Sequence, residues 1–210
     1  MTTYEHAMLG VTGTLAAGLD RRYGWQIVAL GGFVAVLPDW DGLSILFGAA
    51  VFDRFHRTLG HNVPVCVLLG AAVAALDYRF SLASRVKESA GKRLRLFASD
   101  AAPPKREAFR ADAVAVWIVT GVLASLSHLV ADLVFSGHAV LSDWGLRLFW
   151  PFSDRAWAFP MVSWGDPGVT LIFAAAMFAM IRWRERLQVI SALTLALVLG
   201  YVGIRAAIGG

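Results

Sequence analysis

The chain has 210 residues, 58% of them hydrophobic and only 16% charged, with a mean hydropathy of +0.62. A soluble domain of this size is near half apolar and a quarter charged, so the composition excludes an ordinary water-soluble enzyme and points to one membrane-embedded domain over residues 1–210. One cysteine, Cys66, in an apolar run excludes a disulfide framework and a cysteine-rich zinc site, and the +4 net charge is too unevenly spread to mark a nucleic-acid surface.

Residues 4–19 form the first apolar run and carry His6 near its start. Gly10, Gly13 and Ala17 suit close helix packing in lipid. The stretch lacks a basic n-region and carries Glu5, so no cleavable signal peptide is expected. After Arg21-Arg22, residues 25–38 form a second run that ends at Pro38-Asp39-Trp40-Asp41. Pro38 breaks the helix, and two carboxylates two residues apart on an irregular turn can bind a divalent cation. A solvated interfacial loop is the plainer alternative.

Residues 43–54 predict a short re-entrant or interfacial helix, followed by His56-Arg57-Thr58-Leu59-Gly60-His61. Histidines five apart lie about 140° apart on a helix, so His56 and His61 converge only if Gly60 and Asn62 end or bend it. Arg57 carries a permanent forked cation suited to phosphate or carboxylate oxygens, and Asp53 at i−4 is its expected partner.

Residues 62–78 lead into a basic stretch, 79–111, that holds nine of the 19 Lys and Arg residues. An amphipathic helix is expected there around 87–97. Residues 112–135 form a further apolar run and carry His128 and Asp132, which share one helix face at i, i+4. They can reach one metal, or form a buried pair that only ties helices together. Residues 136–166 include Ser136-Gly137-His138 and four of the eight tryptophans. Tryptophan prefers the headgroup level, so this segment predicts an interfacial piece, either a roof over the site or a simple anchor. Residues 167–182 and 187–207 close the chain with two further runs.

Loops rich in Lys and Arg stay cytoplasmic. Placing 79–111 and the smaller groups at 21–22 and 182–186 inside threads the runs without conflict as about five to six transmembrane helices, all-α, plus the short re-entrant piece. At about 1.5 Å per residue, His6, Asp39, His61 and His128 then all stand roughly 21–26 Å above the inner ends of their segments. Four segments deliver His or Asp to one height, in the outer half. Val63 to Ala75 and Val114 to Ala124, below that level, are almost wholly apolar, which disfavours an ion-permeation path.

There is no HExxH, GxSxG or Walker A motif. Ser136-Gly137-His138 matches one motif of membrane phosphatidic-acid-type phosphatases, but the companion motifs are missing, and His138 stays only a candidate catalytic residue. An early His, PDxD, HRxxxH, HxxxD and a later Trp-Pro-Phe, here Trp150-Pro151-Phe152, occur in this order over roughly residues 4–155. As a set they resemble the LexA-binding, inner-membrane-associated hydrolases, the YdjM-like membrane-bound metal-dependent family. Gly60 and Asn62 depart from its commoner Thr and Ser.

The resemblance implies a bacterial inner-membrane protein with His6, Asp39, Asp41, His56, His61, His128 and Asp132 as metal ligands. Arg57 would then serve a substrate or supporting role. Seven such groups suit one or two divalent ions, with zinc expected and manganese or iron as alternatives. The expected activity is hydrolysis of a phosphoester or lipid-linked substrate by metal-activated water at the outer face. Arg57 or Arg155 would hold the phosphate, and one of Asp132, Asp143 and Asp166 would act as base. The competing expectations are a metal-binding or transport protein without catalysis, and a regulatory membrane partner working through the basic 79–111 loop.

Overall fold

The structure, a computed structural model, describes residues 1–94, 111–137 and 144–208. His138, Asp143 and residues 95–110 of the basic loop lie outside the described residues, so the expectations placed on His138 and Asp143 are not carried further.

The protein is an all-α membrane protein, and no strand occurs among the described residues. Helix α1 (Thr3–Ala16) starts at a reciprocal cap: the Thr2 side chain accepts from the Glu5 amide, and the Glu5 carboxylate accepts from the Thr2 amide. A short α2 (Leu19–Tyr23) turns the chain into α3 (Trp25–Val36). Pro38 ends α3 as expected, but the chain does not open into an irregular turn. It continues as an 11-residue 3-10 segment, Leu37–Phe47, and Gly48, at φ 106°, swings it into α4 (Ala49–Phe55). The expected interfacial helix over 43–54 is thus a 3-10 and α-helical hairpin.

Helix α5 (Val63–Phe80) is capped by Asn62, whose side chain accepts from the Val65 amide, with Pro64 in the first turn. Ser81, at φ 52°, ends it, and α6 (Leu82–Leu94) follows. Helix α7 (Ala111–Val134) is the longest, and α8 (Gly168–Arg182) and α9 (Leu187–Ala207) complete the set. Among the described residues, four stretches are long and apolar enough to cross a membrane: Trp25–Phe47, Val63–Phe80, Ala111–Val134 and Arg184–Ala207. Helices α1 and α8 are shorter, at 14 and 15 residues.

Helix α5 packs on α7, α7 on α3, α3 on α1, and α1 on the α8–α9 pair. Ile27, Leu30, Val34, Ala74, Trp117 and Ala124 bury one core between α3, α5 and α7. Phe135, Val162, Val169, Phe173 and Val198 bury another beside α8 and α9. Without a hydrophobic drive between helices in lipid, close approach over small residues supplies the contact. Gly10 of α1 lies against the Gly31 backbone of α3, and Gly70 of α5 against the Gly121 backbone of α7. Gly13, expected to share this role, faces open space.

This contrast is a test of the packing. Gly121→Val drives a side chain into the Gly70 carbonyl and is expected to lower stability by about 1–3 kcal/mol or more. Gly13→Ala, by removing a flexible residue from a helix interior, is expected to raise it by roughly 0.5–1 kcal/mol. Thermal midpoints in detergent read both.

Candidate metal centre

Each site residue is delivered by the end or interruption of a helix. His6 sits in the first turns of α1, and His128 and Asp132 one turn apart near the end of α7. Asp39 and Asp41 lie in the 3-10 segment. His56 and His61 flank the turn between α4 and α5, in which Arg57 takes a left-handed conformation at φ 63°. The helix does end before His56, which lets two histidines five residues apart meet.

They meet on Asp41. Its Oδ1 lies 2.8 Å from His56 Nδ1, and its Oδ2 lies 3.0 Å from His61 Nδ1 and accepts the Gly60 amide at 2.8 Å. Gly60 has no room for a side chain, since a Cβ there would run into the Pro38 carbonyl. Asn62 is also explained locally. Besides capping α5, its amide donates to the Thr58 and Leu59 carbonyls at 2.9 Å and so closes the turn.

A carboxylate only accepts, so His61 Nδ1–H donates to Asp41, and His128 Nδ1–H donates to the Ala35 carbonyl at 2.8 Å. This leaves the two Nε2 atoms facing each other at 3.1 Å. Two lone pairs at that distance repel unless a proton or a cation lies between them. Asp39 Oδ1 is 3.4 Å from His61 Nε2 and 3.5 Å from His128 Nε2. Asp132 Oδ2 is 3.5 Å and 3.7 Å from the same two atoms. Ligand atoms about 2.0–2.1 Å from one tetrahedral zinc stand about 3.3 Å apart, and the His61, His128 and Asp132 atoms, 3.1–3.7 Å from one another, match that spacing.

The charge balance agrees. Asp41 and Asp132 are buried and Asp39 half-buried, and such charges persist only when paired. Burial by itself pushes the His61 imidazole down, but its hydrogen bonds with Asp132, Asp39 and Asp41 outweigh that and hold it up at about 10.

Asp132 is the most connected group of the site. Its Oδ1 accepts from the Met1 ammonium at 2.8 Å and lies 3.1 Å from His6 Nε2. His6 stacks on His128 with ring centroids 3.6 Å apart, and its Nδ1 is buried without a hydrogen-bond partner. Among the described residues, three overlapping groups could each hold a metal: His6, Asp39 and His128; Asp41, His56 and His61; and His61, His128 and Asp132. In the second, Asp41 already spends both oxygens on its own histidines and Gly60.

Arg57 corrects an expectation. It does not pair with Asp53, because α4 ends at Phe55 and the turn points the guanidinium the other way. Buried, it reaches Asp132 Oδ2 at 3.0 Å and donates to the Asp132 carbonyl at 3.1 Å and the Trp144 carbonyl at 2.7 Å. The Trp144 ring lies under its guanidinium and edge-on to His56. With its fork committed to the protein, Arg57 has little left for an incoming phosphate. It ties Trp144, at the start of the 144–166 segment, to the site; the carbonyls of Ala35 and Trp144, being backbone atoms, carry no sequence signal.

Two expected groups lie elsewhere. Asp166 binds the Tyr201 hydroxyl at 2.6 Å, the Gly168 amide at 2.8 Å and Arg205 at 3.4 Å, joining α8 to α9. Its burial, which raises a carboxyl, is outweighed by these partners, which hold it below the usual carboxylate range. Arg155 lies over the Trp157 ring at 4.0 Å.

The model of the YdjM inner membrane protein family matches residues 1–208. No curated protein and no solved structure matches the chain.

Proposed function

The chain belongs to the YdjM inner membrane protein family, and on that premise we propose that it is a membrane-bound, metal-dependent hydrolase acting on a phosphoester or lipid-linked substrate. The observation that supports this best is the facing pair of His61 and His128 Nε2 atoms, 3.1 Å apart and flanked by Asp39 and Asp132. His61, His128 and Asp132 would hold one divalent ion, with Asp39 beside it, zinc first, with manganese or iron as alternatives for a mixed His and Asp set. When bound, such an ion acidifies water and polarises a phosphoryl or carbonyl oxygen.

The chain's own residues have separable tasks. Asp41 orients His61 through Nδ1, as a carboxylate behind a ligating histidine does, and the Ala35 carbonyl does the same for His128. Arg57 steadies Asp132. Of the remaining groups, the His56 and Asp39 side chains keep the most exposure, 15% and 28%, so the mouth lies between them. His56 has Nδ1 held by Asp41 and packs against Phe52 and Trp144. That leaves its Nε2 to take or give a proton at the mouth, in place of the ligand role that the family resemblance implies. The basic 79–111 loop would lie in the cytoplasm, and the site would open on the outer side of the membrane.

The test is turnover by purified protein in lipid nanodiscs, loaded with zinc, manganese or iron, on phosphoester and acyl-ester lipid analogues. The expected result is metal-dependent release of product, with His56→Gln slowing it by about 100-fold or more while zinc still binds. Product release no faster than in protein-free nanodiscs with any of these metals and substrates would contradict the catalytic reading.

A further inference from the structure

The 3-10 segment Leu37–Phe47 carries Asp41 on one side and a row of apolar side chains on another. A 3-10 helix has three residues per turn, so positions three apart eclipse. Leu37, Trp40, Leu43 and Leu46 therefore form a single ridge. Its exposure climbs from 44% at Trp40 to 63% at Leu43 and 77% at Leu46, with Phe47 at 79% beside the tip. No charged residue occurs from 42 to 52, across the whole tip of the hairpin. Runs of 3-10 helix longer than three or four residues are uncommon because their hydrogen bonds are poor. In an 11-residue one, the outer ridge is left uncovered by any of the described residues.

We infer that this ridge is a lipid-contacting arm, with Leu43, Leu46 and Phe47 lying among the acyl chains of the leaflet on the site's side. Continuity identifies the occupant. The segment is the direct extension of α3, and Trp25–Phe47 is one uninterrupted stretch apolar enough to enter a membrane. Phe33, on α3 itself, is 60% exposed and continues the apolar surface towards Trp40. Trp40, at the base of the ridge and 44% exposed, belongs to the same apolar surface. The inference stands without a bound metal and goes beyond the hydrolase reading.

Site-directed spin labelling in phospholipid nanodiscs tests it. Cys66 is buried, so it can stay in place, with the unsubstituted chain as the labelling blank. Labels at Leu43→Cys and Leu46→Cys are compared for collisions with oxygen, which concentrates in lipid, and with a water-soluble nickel chelate. Leu199→Cys on the exposed face of α9 and Asp154→Cys in the outer segment serve as lipid and water references; both sites are strongly exposed. The expected result is an oxygen preference at 43 and 46 like that at 199. A nickel preference like that at 154 would overturn the inference by placing the arm in water. Low accessibility to both probes would overturn it too, by showing protein, a second copy included, over the ridge.

Discussion

Asp132→Ala is expected to abolish zinc binding and to destabilise the protein by ~3–5 kcal/mol, the usual result of leaving one partner of a buried ion pair alone. The abandoned partner is Arg57, which is buried and reaches Asp132 Oδ2 at 3.0 Å. The same substitution releases His6 and the Met1 ammonium, both held by Oδ1, and removes one of the two carboxylate oxygens flanking the His61 and His128 Nε2 pair. Asp132→Asn separates the two effects, because an amide oxygen can still accept from Arg57 and relieves part of the stability loss without restoring the ligand charge. Calorimetric zinc titration and thermal unfolding in one detergent check both arms. Wild-type zinc affinity in Asp132→Ala would remove Asp132 from the metal set.

Asp41→Asn should behave differently, and the difference decides what Asp41 does. Both its oxygens are engaged by His56, His61 and Gly60, which makes it an orienting group for His61 and not a donor to the ion. Removing such a group costs about 10–100-fold in metal affinity, so one ion should still bind, more weakly. Zinc titration with a competing chelator measures this range. Complete loss of binding would make Asp41 a direct ligand, as the family resemblance implies.

Much of the site is legible in the sequence because the membrane makes height along the chain a readable quantity. His6, Asp39, His61 and His128 stand at similar counted distances from the inner ends of their segments, and they do gather in one cluster. The boundaries of α7 and α9 follow the hydropathy to within a residue. Arg57 escapes such a reading because i−4 pairing with Asp53 assumes a continuous helix, and nothing local announces that residue 57 turns left-handed. The 3-10 geometry of Leu37–Phe47 is hidden for a related reason. Pro38 signals a break in the α-helix without specifying the conformation of the residues beyond it. The three-residue repeat of Trp40, Leu43 and Leu46 is also short enough to pass for part of an α-helical pattern. Asp166 looks available as a base in the sequence because its partners, Tyr201 and Arg205, lie 35 and 39 positions away.

The most direct measurement is metal content by elemental analysis of the full chain, purified in detergent, incubated with zinc and freed of unbound ion. One equivalent per chain in the native protein, lost in His61→Ala and His128→Ala variants that keep their helical circular-dichroism signal, is the predicted result. A folded native chain that holds no zinc, manganese or iron would contradict the metal centre and, with it, the hydrolase reading.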